Sequence, residues 1–341
     1  IVARIASGVR VRWGLFFVGL WLCGTGVAVE RASWVEEALA SSSLLLEVEA
    51  LGSSVAGEPA SDLVWATVDW ETFFSSGERL QWHVGLLWEQ DSREEDPLDR
   101  LSVRGEWNQL GLTVGRFYQP VGRFDSMFIS DPLTLELGEL NQTSVMVDAQ
   151  LGSLLAQAGL FRSSLDVEDE QGLKEGYAAL TWELRESVVV GGYWLNNLLE
   201  TDGLVELGSA LVDADHVVSA AGWGGFVAVE AGDIRVNAEW LGAVDSVHGG
   251  ARDGQPSAWQ VECGCVWGEH WSAGVRFERS DEFFAGYELG EWTDAFAERR
   301  IGVAVAYAFE AGLSCCLEVM QLTFADGSEG ERAAVQVAQS F

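Results

Sequence analysis

Charged residues recur two apart through much of this chain: Arg104 with Glu106, Arg276 with Glu278, Glu47 with Glu49, Asp69 with Glu71. That spacing sets both side chains on one face of a β-strand. A face of guanidinium and carboxylate groups is hydrated and sorts solutes by charge, which is electrostatic chemistry without bond-making. Candidates for covalent chemistry are few. Among His83, His216, His248 and His270, only His216, after Asp213 and Asp215 and near Ser219, resembles a hydrolytic arrangement, and a loop-to-strand junction explains it better. The chain is therefore read as non-enzymatic. The pairs Cys263/Cys265 and Cys315/Cys316 lack metal-site spacing and suit small strand-packing thiols, so no metal and no cofactor is expected.

The elements that must position these charges alternate strictly. In "LQWHVGLLWE", Trp82, Val84, Leu86 and Trp88 share one face, with Gln81, His83 and Glu89 on the other; Trp271, Ala273, Val275 and Phe277 oppose Ser272, Arg276 and Glu278 in the same way. Sixteen such segments run from 43–52 to 331–341, the tenth spanning 216–229. The gaps between them sort by parity. Every second gap is short, such as "QL", "RE" and "GE"; the others are longer and polar, including "GSSVAGEPAS", "ADGSEG" and residues 120–141. Short turns on one rim, long loops on the other and an even strand count describe an all-β, transmembrane antiparallel barrel of the bacterial outer membrane, with an apolar outside and a polar lumen. The charged face is too rich in Glu and Arg to form the dry core of a soluble barrel.

Composition agrees. The formal charge is −33 and Lys174 is the single lysine, so a nucleic-acid partner is excluded for want of a basic face. Residues 1–28, with Arg4, Arg10 and Arg12 before "WGLFFVGLWLC" and small residues near Ala28, read as a signal peptide; an uncleaved anchor is the alternative, weakened by Gly24 and Gly26. Residues 29–42 form a short periplasmic segment and 43–341 the barrel, with no plug domain expected before the first strand. The ending "VQVAQSF" puts Val335, Val337 and the terminal Phe341 on one face, resembling the signal by which outer-membrane barrels dock on the barrel assembly machinery.

One stretch, "FISDPLTLELGE" (128–139), breaks the alternation. Pro132 removes a ladder donor and favours a turn. Counted along the strands, it lies in the third extracellular loop. Leu133, Leu135 and Leu137 are expected to pack that loop against the inner wall, leaving Asp131, Glu136 and Glu139 free to face water. The longer run "LGLTVGRFYQPVGRFDSMFISDPLTLELGEL", residues 110–140, resembles the corresponding segment of the LbtU-type siderophore porin family. The resemblance implies a sixteen-stranded barrel, a third loop folded into the lumen and, for the family's namesake, uptake of a ferric siderophore.

On that architecture the constriction is expected from Arg123, Asp125, Asp131, Glu136 and Glu139. The pore wall is expected from Arg104, Glu106, Arg235, Glu239, Arg276, Arg300 and Arg332. Acids outnumber bases, so small cationic solutes are favoured. The arginines of the later strands would face the loop acids in a transverse field, or would simply pair with neighbours. Arg116 shares the parity of Leu112 and Val114, which would face it to lipid at a cost of ~2–4 kcal/mol at mid-bilayer. Either it lies at the rim, or Gly115 permits a bulge that turns it inward. The acids Glu94, Glu95, Asp96, Asp166, Glu168, Asp169 and Glu170 form a solvated loop surface, with divalent bridging to lipopolysaccharide as the alternative. Outer-membrane lipid surrounds the barrel, and a homotrimer is compatible with it although no interface is written in the sequence.

Overall fold

The computed structural model describes residues 41–55, 58–90, 97–165, 172–205, 219–246, 254–281 and 297–341. Sixteen strands follow the alternating segments: β1 (Ser43–Val55), β2 (Glu58–Ser76), β3 (Leu80–Glu89), β4 (Leu98–Trp107), β5 (Leu110–Tyr118), β6 (Asn141–Leu151), β7 (Leu154–Arg162) and β8 (Leu173–Arg185). They continue with β9 (Val188–Leu195), β10 (Gly222–Ala231), β11 (Ile234–Ala243), β12 (Ser257–Trp267), β13 (Trp271–Asp281), β14 (Ala297–Ala308), β15 (Leu313–Phe324) and β16 (Glu329–Ser340). Each pairs antiparallel with its sequence neighbour, and β1 pairs with β16, from Leu45 opposite Ser340 to Val55 opposite Gly330, so the sheet closes without a free edge.

Alternation decides what each face meets. Val275, Val303 and Val319 are register partners on β13, β14 and β15, and all three are about half exposed, with Val303 at 52%. Between them along the strands Arg276, Ala304 and Met320 are buried. Apolar residues that stay uncovered in a row around a closed sheet make a lipid-facing belt. Aromatic residues gather at both ends of that belt. By the short turns Trp267 stacks on Trp271 at 6.1 Å, and Trp271, Tyr307 and Phe309 continue edge to face at 4.8 and 4.6 Å. By the long loops Trp223 meets Trp240 at 4.5 Å and Trp259 meets Phe277 at 5.1 Å. Rings with an apolar body and a polar atom suit the membrane–water boundary.

Some boundaries differ from the sequence expectation. The gap "GSSVAGEPAS" is mostly strand, the ladder continuing through Gly52–Ser61 and Ser53–Ala60, whereas "ADGSEG" keeps its turn over residues 325–328 and gives only Glu329 and Gly330 to β16. Polar residues do not end a strand that projects past an apolar belt into water. Strand β10 begins at Gly222 and not at 216, because Ala220 has other partners: its N–H donates to Asn197 Oδ1 and its carbonyl accepts from Leu198 N–H. Arg116 resolves to the rim. No register shift interrupts β4–β5 or β5–β6 at Gly115, and Arg116 stays opposite Leu101 and Thr143, two residues from the end of β5. Gly115 has φ +136°, and a Cβ there would stand 2.1 Å from the Leu101 carbonyl oxygen, so this close strand approach requires glycine.

Residues 1–28, expected to be a signal peptide, and most of 29–42 lie outside the described residues, as do His216, His248 and the acidic loop residues Glu94, Glu95, Asp96, Asp166, Glu168, Asp169 and Glu170.

Candidate functional site

Residues 119–140 leave β5, and between Arg123 and Glu136 they find partners on β11 to β15. Five of the segment's backbone N–H groups are accepted by four glutamates from four strands. Arg123 and Phe124 donate to Glu239 of β11 at 3.1 and 3.0 Å, and Met127 to Glu262 of β12 at 2.8 Å. Leu133 donates to Glu278 of β13 at 2.6 Å, and Ser130 to Glu318 of β15 at 2.9 Å. A carboxylate receiving N–H groups replaces the hydration it loses on burial. All four glutamates are buried and point to the face opposite the exposed valines.

Arginines complete the neutralisation. Arg300 of β14 holds Glu136 through two bonds of 2.7 Å and also donates to the Asp131 carbonyl at 3.2 Å. Glu136 is therefore ion-paired and not free in water, which corrects the sequence expectation. The expected pore-wall residues separate into groups. Glu239, Arg276 and Arg300 are covered by the segment, so they mount it more than they line an opening. Arg104 is bonded to Asp148 at 2.5 and 2.9 Å and to Glu106 at 3.0 Å. Arg235 lies next to the short turn, 3.7 Å from Glu230, and Arg332 is half-buried on β16. Pairing with neighbours thus absorbs Arg104, Arg276 and Arg300. On the earlier strands Arg100 pairs with Glu71 and, at 3.1 Å, with Asp99; His83 lies 3.7 Å from Glu71 and stacks on Phe73.

Within the segment a six-residue helix, α1 (Leu133–Gly138), was not expected. Alternation would place Leu133, Leu135 and Leu137 on one face. Helical spacing instead buries Leu133 and Leu137 and leaves Leu135 partly exposed. A second segment secures the helix, and sequence reasoning missed it: Thr201 Oγ1 donates to the Leu137 carbonyl at 2.9 Å, and Asp202 N–H to the Glu139 carbonyl at 2.9 Å. Gly203 lies so close that a Cβ would fall 1.7 Å from the Glu136 carbonyl oxygen. The two segments, with Phe117, Met146, Phe161, Tyr177, Tyr193 and Leu241 of the strands, form one buried apolar cluster. The available signal was "NNLLE", an Asn-capped turn with two adjacent leucines: Asn197 Oδ1 caps Leu199, and Leu198 and Leu199 are buried. Of the expected constriction residues, Arg123, Asp125 and Asp131 remain exposed, the first two paired with each other.

Glu139 is half-buried beside Asp202, and burial together with that like charge pushes its carboxyl up to about 8. The folded value lies above the ordinary one, so the stability from the neutral carboxyl is complete below the ordinary carboxylate range and is lost as pH rises through about 8. Glu139→Gln is accordingly expected to raise the unfolding midpoint at pH 9 and leave it unchanged at pH 4. Equal midpoints at pH 9 would refute the assignment.

No family model matches the chain. It is 23% identical over 236 residues to a UPF0422 protein of Coxiella burnetii, and spans 62% of its own length and about half (49%) of that relative's. Solved structures agree over nearly the whole chain. The anion-selective porin from Comamonas acidovorans superposes with a TM-score of 0.62 at 8% identity, covering 88% of this chain and 99% of that one. The outer membrane channel DcaP of Acinetobacter baumannii gives 0.60 at 12% identity, covering 89% and 98%. The trimer form of OmpT, an outer membrane protein of Vibrio cholerae, gives 0.57 at 10% identity, covering 88% and 99%. Shared topology and a lipid-facing belt make this chain a sixteen-stranded antiparallel barrel of the bacterial outer membrane.

Proposed function

We propose that the chain is a porin through which small solutes diffuse, and that residues 119–140 fold into the lumen as its constriction. The observation that carries this reading is the mounting of that segment: it emerges from β5, yet its backbone is bonded to glutamates of β11, β12, β13 and β15, all on the face opposite the lipid belt. A segment attached in this way narrows a wide barrel without closing it, since sixteen strands enclose more space than side chains alone fill.

Cations are the favoured solutes. Asp131 is exposed on the segment, while Arg276 and Arg300 are committed to glutamates, and the early strands carry Glu47, Glu49 and Asp69. Ion preference does not follow from the fold, because a structural neighbour described as anion-selective shares it; it rests on this chain's own charges. The resemblance of residues 110–140 to the siderophore porin segment adds ferric siderophores as a finer substrate class, and a homotrimer as the working assembly fits the trimeric neighbour.

The test is a planar-bilayer recording of the purified protein under a salt gradient. Stable steps with a cation-selective reversal potential, lowered by Asp131→Asn, are expected. Blockade by an added ferric siderophore would support the finer substrate. Folded protein that conducts nothing would overturn the porin reading in favour of a closed structural barrel.

A further inference from the structure

We infer that Arg276 is the positioning residue of the constriction: it fixes where residues 126–130 stand, and so the aperture, without facing the solute. The inference rests on the porin reading above. The Arg276 side chain is 0% exposed, so its charge is not presented to a passing ion. Its guanidinium reaches in several directions. One terminal nitrogen donates to Ser126 Oγ and to the Ser130 carbonyl, both at 2.9 Å, and the other to Ser130 Oγ at 2.7 Å. Nε lies 3.0 Å from Glu278, and Glu262 is 4.0 Å away. The Phe128 ring lies over the guanidinium at 4.4 Å.

Beneath that ring the wall is bare. A Cβ on Gly302 would stand 2.8 Å from Phe128, and one on Gly274 at 3.4 Å, so the ring rests where these strands carry no side chain. Gly264, opposite Gly274 in the ladder, leaves the same kind of space for Met127. The segment is thus seated on a glycine floor, where the Arg276 fork joins Glu262 and Glu318 in holding it. Lysine retains the charge but not the planar, multi-directional donor set, so it cannot make these contacts together.

The experiment compares the full chain with Arg276→Lys, Arg276→Met and the double variant Ser126→Ala/Ser130→Ala, using preparations that show the heat-modifiable mobility of a folded barrel. Single-channel recordings are made in dilute and in molar potassium chloride. Loss of the parent's single conductance level is expected in all three variants, Arg276→Lys included, and the loss should persist in molar salt because screening leaves position unchanged. If Arg276→Lys keeps the parent level, or if the effect of Arg276→Met vanishes in molar salt, the residue acts through its charge and the inference fails. The serine variant leaves Arg276 in place, so a parent-like level there also overturns it. A silent parent protein would overturn the porin reading itself, whereas a conducting parent with parent-like variants overturns only the inference.

Discussion

Replacing Glu278 with leucine should cost the folded barrel roughly 3–5 kcal/mol, because it strips a fully buried arginine of its nearest carboxylate. Glu278 accepts the Leu133 N–H at 2.6 Å and lies 3.0 Å from Arg276 Nε, and neither side chain of the pair has any exposure. The loss therefore has two parts, an undercompensated buried cation and an orphaned backbone donor at the start of α1. Removing both charges should be less harmful than removing one. The double variant Glu278→Leu/Arg276→Met is expected to recover part of the loss, since an apolar pair of similar volume often matches a buried ion pair in stability. Urea unfolding in lipid vesicles, followed by tryptophan fluorescence, measures both. A single variant as stable as the parent would show that the carboxylate is hydrated in the barrel and does not hold the segment.

Val303→Arg is expected to lose ~2–4 kcal/mol, the cost of a cation on the lipid face near the bilayer midplane. A water-soluble protein would hardly register the change, for Val303 is already 52% exposed and surface substitutions usually fall within about 0.5 kcal/mol. Val303 lies mid-strand in β14, with Val275 and Val319 as its cross-strand partners. The same substitution at Val337, exposed and three residues from the end of β16, should cost less as the side chain reaches the interface. Equal, negligible effects at both positions would contradict a membrane belt.

The barrel was legible because its two faces meet different solvents, so nearly every strand from β1 to β16 repeats the same binary signal. Strand ends were less legible. Beyond the belt both faces meet water, the apolar marker fades, and Pro59 in β2 gives no warning that pairing continues past it. The unusual stretch 128–139 was recognisable as something other than wall, yet its helix was not, because "LTLEL" satisfies periods of two and of four over so short a length. Partnership was the least legible. Nothing local to Glu239, Glu262, Glu278 or Glu318 says that each will accept a backbone N–H from a segment more than a hundred residues away. From sequence they could only be assigned to a wet wall.

The glutamates of β11, β12, β13 and β15 grip the segment through five backbone N–H groups, with Ser126 Oγ donating to Glu262 beside them, and this frees much of its sequence. Any residue except proline offers the same N–H. Arg123, Phe124, Met127, Ser130 and Leu133 are thus barred from proline as amide donors, but are otherwise interchangeable in that role. The outward-facing side chains can then diversify while their seat endures. On the porin reading proposed above, drift at Arg123, Asp125 and Asp131 would change the solutes admitted without rebuilding the wall that holds the segment.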